Sequence, residues 1–433
     1  MAAGDKTLSV IVNRIVTRCR QFPYGVRIEF FPFFKIAPGI YPAMNSPIIW
    51  RRSATFFFAL ILFAPPTFAG DTALNDNARF LAGMNVAQGS ALEPLTKAKT
   101  YAGHSSFLNR AWTGLDSNQL SRVRAWSTEN LKKTQPSLFY MFSGPDYLYA
   151  NAFFPQATTY VMAGLEAPGD IPDMTKLPRS SVPQELAALR TSLRSVFSYS
   201  FFITKEMKRH LYGRRLTGTL PVLFVFLARS GKSIESVNYV YLDEDGTAHS
   251  AETAVQAEVK HDTVGVKITF SGDDKRLQTL YYFKTDLSNQ GTEHSGFLKF
   301  CEQAGGGDSL IKSASYLLHS GEFSHVRDFL LEHSATIVQD DTGVPLNKFD
   351  MKEWNVEPFG NYVRPISLFQ RNYQPDLRGF FSKRRPHPLH FSFGYQWRGG
   401  KSMVLLARRE TARNYAKNKP LVQPANLDEV SRK

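Results

Sequence analysis

Three short apolar runs, Leu138–Phe142, Thr158–Leu165 and Leu220–Ala228, each end in polar residues and are separated by long links. Fifteen residues join the first run to the second. The next link holds an amphipathic stretch that opens at Pro183, with Leu186, Leu189, Leu193, Val196 and Phe197 three to four positions apart, and continues through Phe201 and Met207 toward Leu211. That spacing is the signature of a helix, whereas short apolar runs read as buried strands. Antiparallel neighbours can be joined by a two-residue hairpin, but parallel ones need a crossover of about a dozen residues or more. Links of this length are long enough for parallel pairing with crossover helices.

The texture then changes. "ESVNYVYLDEDGTAHS" and "VGVKITFSGDDKRLQTLYYFKTD" alternate apolar and polar residues around Asp-Gly and Gly-Asp turns, the pattern of antiparallel hairpins. "DSLIKSASYLLHSGEFSHVRDFLLEHS" reads as a helical hairpin broken at Ser320-Gly321, and "ATIVQDD" as a strand. "LHFSFGYQW" and "SMVLLARR" read as a closing hairpin joined by Arg-Gly-Gly-Lys. Upstream, "LDSNQLSRVRAWSTENLKK" reads as a helix capped by Asp116 or Ser117. The expected fold is α/β (mixed α+β), a partly parallel sheet with crossover helices plus an antiparallel extension. Residues 70–235 form its α/β half, 236–420 its hairpin and helical half, and 421–433 a frayed tail.

Ahead of this lies "MNSPIIWRRSATFFFALILFAPPTFAGD", built like a secretory signal. Arg51 and Arg52 supply positive charge, Ala54 to Ala64 is an eleven-residue apolar stretch, Pro65 and Pro66 stop the helix, and Ala69 offers a small residue before a cut at Gly70. A membrane span needs about 20 residues, so this one is too short. Residues 44–69 are thus expected to be a signal peptide, a buried core helix or uncleaved anchor being the alternative. Residues 1–43 are then an upstream start-site artefact or a genuine extension. The expected location is outside the cytosol, the periplasm first with full secretion as the alternative, and no transmembrane helix is left after cleavage.

Location changes the meaning of the charge. The whole chain carries 52 Lys and Arg against 38 Asp and Glu, and removing residues 1–69 leaves 44 against 36, a net of +8. Ten bases against Glu410 alone lie between Phe380 and Lys419, including Lys383, Arg384 and Arg385. In an exported protein such a cluster fits an anionic envelope polymer or lipid headgroups, and no nucleic-acid partner is expected; a solvated basic face is the plain alternative. Of the two cysteines Cys19 lies in the removed part, so Cys301 has no intrachain partner and reads as a buried thiol.

Motifs that announce chemistry are missing or incomplete. "FLARSGKS" resembles a phosphate loop but has Phe226 where the second glycine belongs. "IVQDDTGVP" contains Asp-Thr-Gly once, and reads as an acidic turn after a strand rather than as half of a protease dyad. The histidines have no metal-ligand spacing, as His319 with His325 and His387 with His390 illustrate, so neither a metal nor another cofactor is expected. One positional reading remains. If the three apolar runs are parallel neighbours, Ser143 and Asp146, Glu166, and Arg229 with Ser230 gather at the carboxyl edge of the sheet, the usual ligand crevice of open α/β sheets. Asp146 and Glu166 are then the catalytic candidates, and Ser143, Arg229, Ser230, Lys383, Arg384 and Arg385 the binding candidates. The plain alternative for Asp146 is a cap on the segment that follows.

The phrases "YMFSGPDYLYANAFFP", "TTYVMAGLE" and "FSHVRDFLLEHSATIVQDDTGVP" resemble a family of exported bacterial proteins of unknown function, a likeness covering most of residues 100–400. It implies a bacterial envelope protein and assigns no functional residue. The leading expectation is a soluble binder of an anionic envelope component through the basic C-terminal region; the alternatives are a cofactor-independent hydrolase or transferase acting on an envelope glycan or lipid, and a structural protein with no ligand.

Overall fold

The computed structural model describes residues 72–199, 214–251, 263–397 and 400–409. The expected signal peptide, the residues before it, the tail and the continuation of the amphipathic stretch past Tyr199 lie outside them. The described chain opens with helices α1 (Thr72–Leu81), α2 (Lys99–Leu115) and α3 (Ser121–Asn130). Then come β1 (Ser137–Tyr140), α4 (Tyr147–Phe153), β2 (Thr159–Gly164), α5 (Val182–Tyr199) and α6 (Leu220–Arg229). Two hairpins follow: β3 (Ser233–Leu242) with β4 (Ala248–Ala251), and β5 (Val264–Ser271) with β6 (Leu277–Lys284). The rest is α7 (Phe297–Gln303), β7 (Gly307–Ile311), α8 (Ser324–His333), β8 (Ser334–Gln339), β9 (Trp354–Gly360), α9 (Pro375–Arg384) and β10 (Met403–Arg409).

All ten strands form one sheet in the order β4-β3-β5-β6-β2-β1-β7-β8-β10-β9. β6, β2, β1, β7 and β8 run parallel, and antiparallel strands extend the sheet on both sides. The expected class, a partly parallel sheet with crossover helices and an antiparallel extension, is what the chain adopts. Period-two alternation divides the sheet residues between two layers. Tyr160 and Phe270 face α4, where they meet Tyr147 edge-on at 5.4 and 5.6 Å. Phe139 points the other way, onto Phe329 of α8, and Phe283 onto Phe297 and Phe300 of α7. Among the described residues no helix is long and apolar enough to cross a membrane.

Several expected elements differ. Leu220–Ala228 is not a strand but helix α6, with every residue of it buried. An apolar run without polar punctuation lacks a period, so pattern alone cannot separate a buried strand from a helix buried on all sides. Pro221 in the first turn and Gly231 at φ 70° just beyond the end decide for helix. Asp116 and Ser117 do not cap a helix; a π-helical turn, Asp116–Leu120, carries α2 directly into α3. The first arm of the expected helical hairpin is strand β7, fully buried from Gly307 to Ile311, followed by short 3-10 turns. Finally, β10 does not pair with residues 389–397. It inserts between β8 and β9, because its run of five buried residues needs a partner on each edge and cover on both faces.

Candidate active site

The five parallel strands, taken in chain order as first to fifth, lie in the order third, second, first, fourth, fifth. From β1 the chain moves to β2 on one side, while β7 later takes the place on the other. Connections leaving to opposite sides make a topological switch point at the carboxyl ends of the two strands, the usual ligand position in sheets of this kind. Asp146, six residues past Tyr140, and Lys312, the first residue after β7, meet there.

Lys312 Nζ lies 2.6 Å from Asp146 Oδ2, with the side chains 1% and 3% exposed. The Tyr140 hydroxyl donates to the same carboxylate oxygen at 2.8 Å, and the Tyr149 N–H donates to Oδ1. The ammonium also stands 3.5 Å from the centre of the Tyr149 ring. Burial pushes the Asp146 carboxyl up and the Lys312 ammonium down, while each holds the other charged. A carboxyl group accepting from three donors fits the ionised form. Asp146 does cap α4, as its plain reading had it, and the same carboxylate anchors the lysine.

The end of β8 brings further carboxylates. Asp340 accepts from the Ser313 and Thr342 N–H groups, both at 2.9 Å, and from the Thr342 hydroxyl. Burial raises its pKa, opposed by these donors and by the Lys312 charge. Asp341 receives the Tyr316 hydroxyl; burial first, and the Asp340 charge second, lift its pKa to about 7. "QDDTG" is thus a turn after a strand, but an interior one. Gly394, at φ 68°, makes this possible: a Cβ there would stand 2.0 Å from Asp340 Oδ2. Among the described residues no group of three or more His, Cys, Asp or Glu is placed to hold a metal ion.

The expected site residues scatter. Ser143 is buried at the end of β1, and its hydroxyl donates to the Gly144 and Ala163 carbonyls at 2.8 and 3.2 Å. Glu166, half-buried after β2, lies at the same sheet edge, and its carbonyl accepts from the Tyr282 hydroxyl at 2.9 Å. Asp146 and Glu166 therefore belong to adjacent parallel strands, but Asp146 spends its oxygens on Lys312 and two further donors. Arg229 and Ser230 end helix α6 instead of a strand, and the Arg229 guanidinium holds the Ala82 carbonyl at the end of α1. Lys383, Arg384 and Arg385 are exposed at the far end of α9. Arg408 and Arg409, from the same basic region, pair with Glu357 and Glu353.

An open depression of about 320 Å³ lies near the opposite edge of the sheet, lined by Glu129–Lys133, Thr336 and Arg408. Arg408 there is engaged by Glu357 and the Asn130 carbonyl, whereas the buried polar groups converge at the carboxyl ends of β1 and β7. Pattern reading missed Lys312 because the stretch around it was taken for a helix. No family model matches the sequence, and no curated protein or solved structure matches it either.

Proposed function

We propose that the protein is an exported hydrolase or transferase, acting on an envelope glycan or lipid, with its reacting centre at the carboxyl ends of β1 and β7. The observation that carries this reading is the buried Asp146–Lys312 pair beside Asp340 at the one reversal of the parallel strand order. A fixed ammonium in a site shielded from water stabilises negative charge developing on a reacting oxygen. Asp341, titrating near neutrality, suits proton transfer, since an acid–base group works best with a pKa near the working pH. Asp146 is then a positioning residue for Lys312, and Asp340 orders the turn that presents Asp341. Export is supported by the signal-like segment before Gly70.

The test is turnover by the full chain of chromogenic esters, phosphoesters and glycosides. At least one class is expected to react, with Asp341→Asn slower by roughly 100-fold or more, the lower end of what general acid–base catalysis supplies. Equal turnover by the folded Asp341→Asn protein, or turnover of no class, overturns the reading. A second reading, binding of anionic envelope polymer, rests on the exposed run Lys383–Arg385. It expects retention on a polyanion that falls with salt and weakens when all three are changed to Ala.

A further inference from the structure

Between Asn361 and His390 the chain carries six basic side chains, Arg364, Arg371, Arg378 and Lys383–Arg385, against Asp376 alone, a net of +5. All six are exposed. Lys97, Arg124 and Lys299, exposed elsewhere on the chain, each stand within 3.3 Å of a carboxylate oxygen. Among the described residues none of the six is paired in this way. Arg378 donates to the Tyr362 carbonyl at 2.6 Å, and Arg384 lies 5.4 Å from the centre of the Phe380 ring, contacts that leave the charge uncancelled. Tyr362 draws the segment together. Its buried ring packs against Tyr373 and against Phe381 of α9, both with centres 6.2 Å away, and its hydroxyl accepts from the Gln374 N–H at 3.0 Å. Val363 and Arg364 follow it directly in the chain. Lys383–Arg385 lie about 10 Å beyond Arg378 along α9, at 1.5 Å per residue. Five large apolar side chains stand exposed among the described residues, and two of them, Val363 at 36% and Tyr373 at 44%, belong to this cluster.

We propose that this cluster docks the protein on an anionic lipid bilayer, its cations against the headgroup phosphates and Val363 with Tyr373 entering the interface between them. The proposal takes the exposed run Lys383–Arg385 from the polymer-binding reading, on which it rests, and gives it a bilayer as partner. The uncancelled cations supply attraction, each worth roughly fivefold in affinity beside an anionic membrane surface. The exposed apolar tips decide between partners, because a soluble polyanion offers charge but no apolar phase to receive them. A tyrosine suits the level of the headgroups, its ring being apolar and its hydroxyl wet.

The experiment exposes the full chain to limiting amounts of vesicles of phosphatidylcholine, alone or mixed with phosphatidylglycerol, that carry a photoactivatable diazirine in their acyl chains. Labelled peptides are then mapped by mass spectrometry. Peptide resolution separates the cluster from the apolar stretch Ala54–Ala64, which has its own affinity for lipid. The expected result is label within residues 361–385 on the vesicles with phosphatidylglycerol, far less on phosphatidylcholine alone, and a fall with added salt. Changing Lys383, Arg384 and Arg385 together to Gln is expected to lower that label roughly 100-fold. Val363→Ser with Tyr373→Ser is expected to lower it several-fold, with the urea midpoint unchanged. A cluster that stays unlabelled on phosphatidylglycerol, or labels equally in the charge variant, overturns the proposal. If dextran sulfate retains wild type and not the charge variant while vesicles leave the cluster unlabelled, the polymer reading stands and the bilayer falls. If neither vesicles nor dextran sulfate engage the cluster, both fall and the run is a solvated face.

Discussion

The Asp146–Lys312 pair makes a quantitative test of how the carboxyl ends of β1 and β7 are held together. At 2.6 Å and an effective dielectric of about 20, the gross attraction is about 6 kcal/mol. Desolvation of two fully buried groups opposes much of it, so the net value of the pair is far smaller than the cost of breaking it. Asp146→Asn keeps the cap on α4, because Asn caps as well as Asp, but leaves the ammonium unmatched. Lys312→Met keeps most of the stem volume and leaves the carboxylate with only Tyr140 and Tyr149 as donors. Each single change is expected to cost roughly 3–5 kcal/mol. The double variant buries no net charge and is expected to cost about as much as one single, a coupling of roughly 3 kcal/mol or more. Urea denaturation of the four proteins at pH 7, with unchanged slopes, measures this directly. If the two single costs add to within about 0.5 kcal/mol in the double, the two groups are not an energetic pair and the account of that junction fails.

Two further outcomes separate causes that a single measurement would mix. Gly394→Ala adds a left-handed alanine and a Cβ 2.0 Å from Asp340 Oδ2, whereas Gly231→Ala adds the same strain in open space. The first is expected to cost about 3 kcal/mol or more and the second about 1, and equal midpoints for the two variants would refute the packing of Asp340 against residue 394. His104 is wholly buried, with Nε2 on the Leu81 carbonyl at 2.9 Å and Nδ1 facing Arg190 at 3.2 Å, and burial holds its pKa at about 4. Its folded pKa lies below the ordinary 6.5, so the unfolded chain binds the extra proton and stability is lost as pH falls from about 6.5 toward 4, by up to about 3 kcal/mol. The stability advantage of wild type over His104→Gln is expected to shrink by that amount between pH 7.5 and 4.5; parallel profiles would show that His104 does not titrate this way.

The parallel heart of the sheet was readable where strands carried short apolar runs between turn residues, as at residues 137–140 and 159–164. It was unreadable in two places for different reasons. Leu220–Arg229 has no polar residue before its last position to set a phase, so helix and strand predict the same pattern. Gly307–Ile311 is short and half polar, with Asp308 and Ser309 wholly buried, and the residues after it mimic helical spacing. Losing that strand hid Lys312. Asp146 was found because a carboxylate after a strand end is a local signal. The interior position of Asp340 and Asp341 is not local: it depends on Gly394 and on Tyr316, which approach from opposite directions in the chain.

Strand β10 lies between β8 and β9, although it is the last described element of the chain and they come more than forty residues earlier. β9 pairs along its length only with β10, so one border of the sheet has no partner until residues 403–409 have been made. Likewise β1 waits for β7, some 170 residues downstream, before its second edge is filled. Contacts this far apart in the chain form slowly, because long loops must close before their contacts repay the lost chain entropy. Under the proposed export, slow long-range closure favours the extended form in which a translocation pore accepts its cargo.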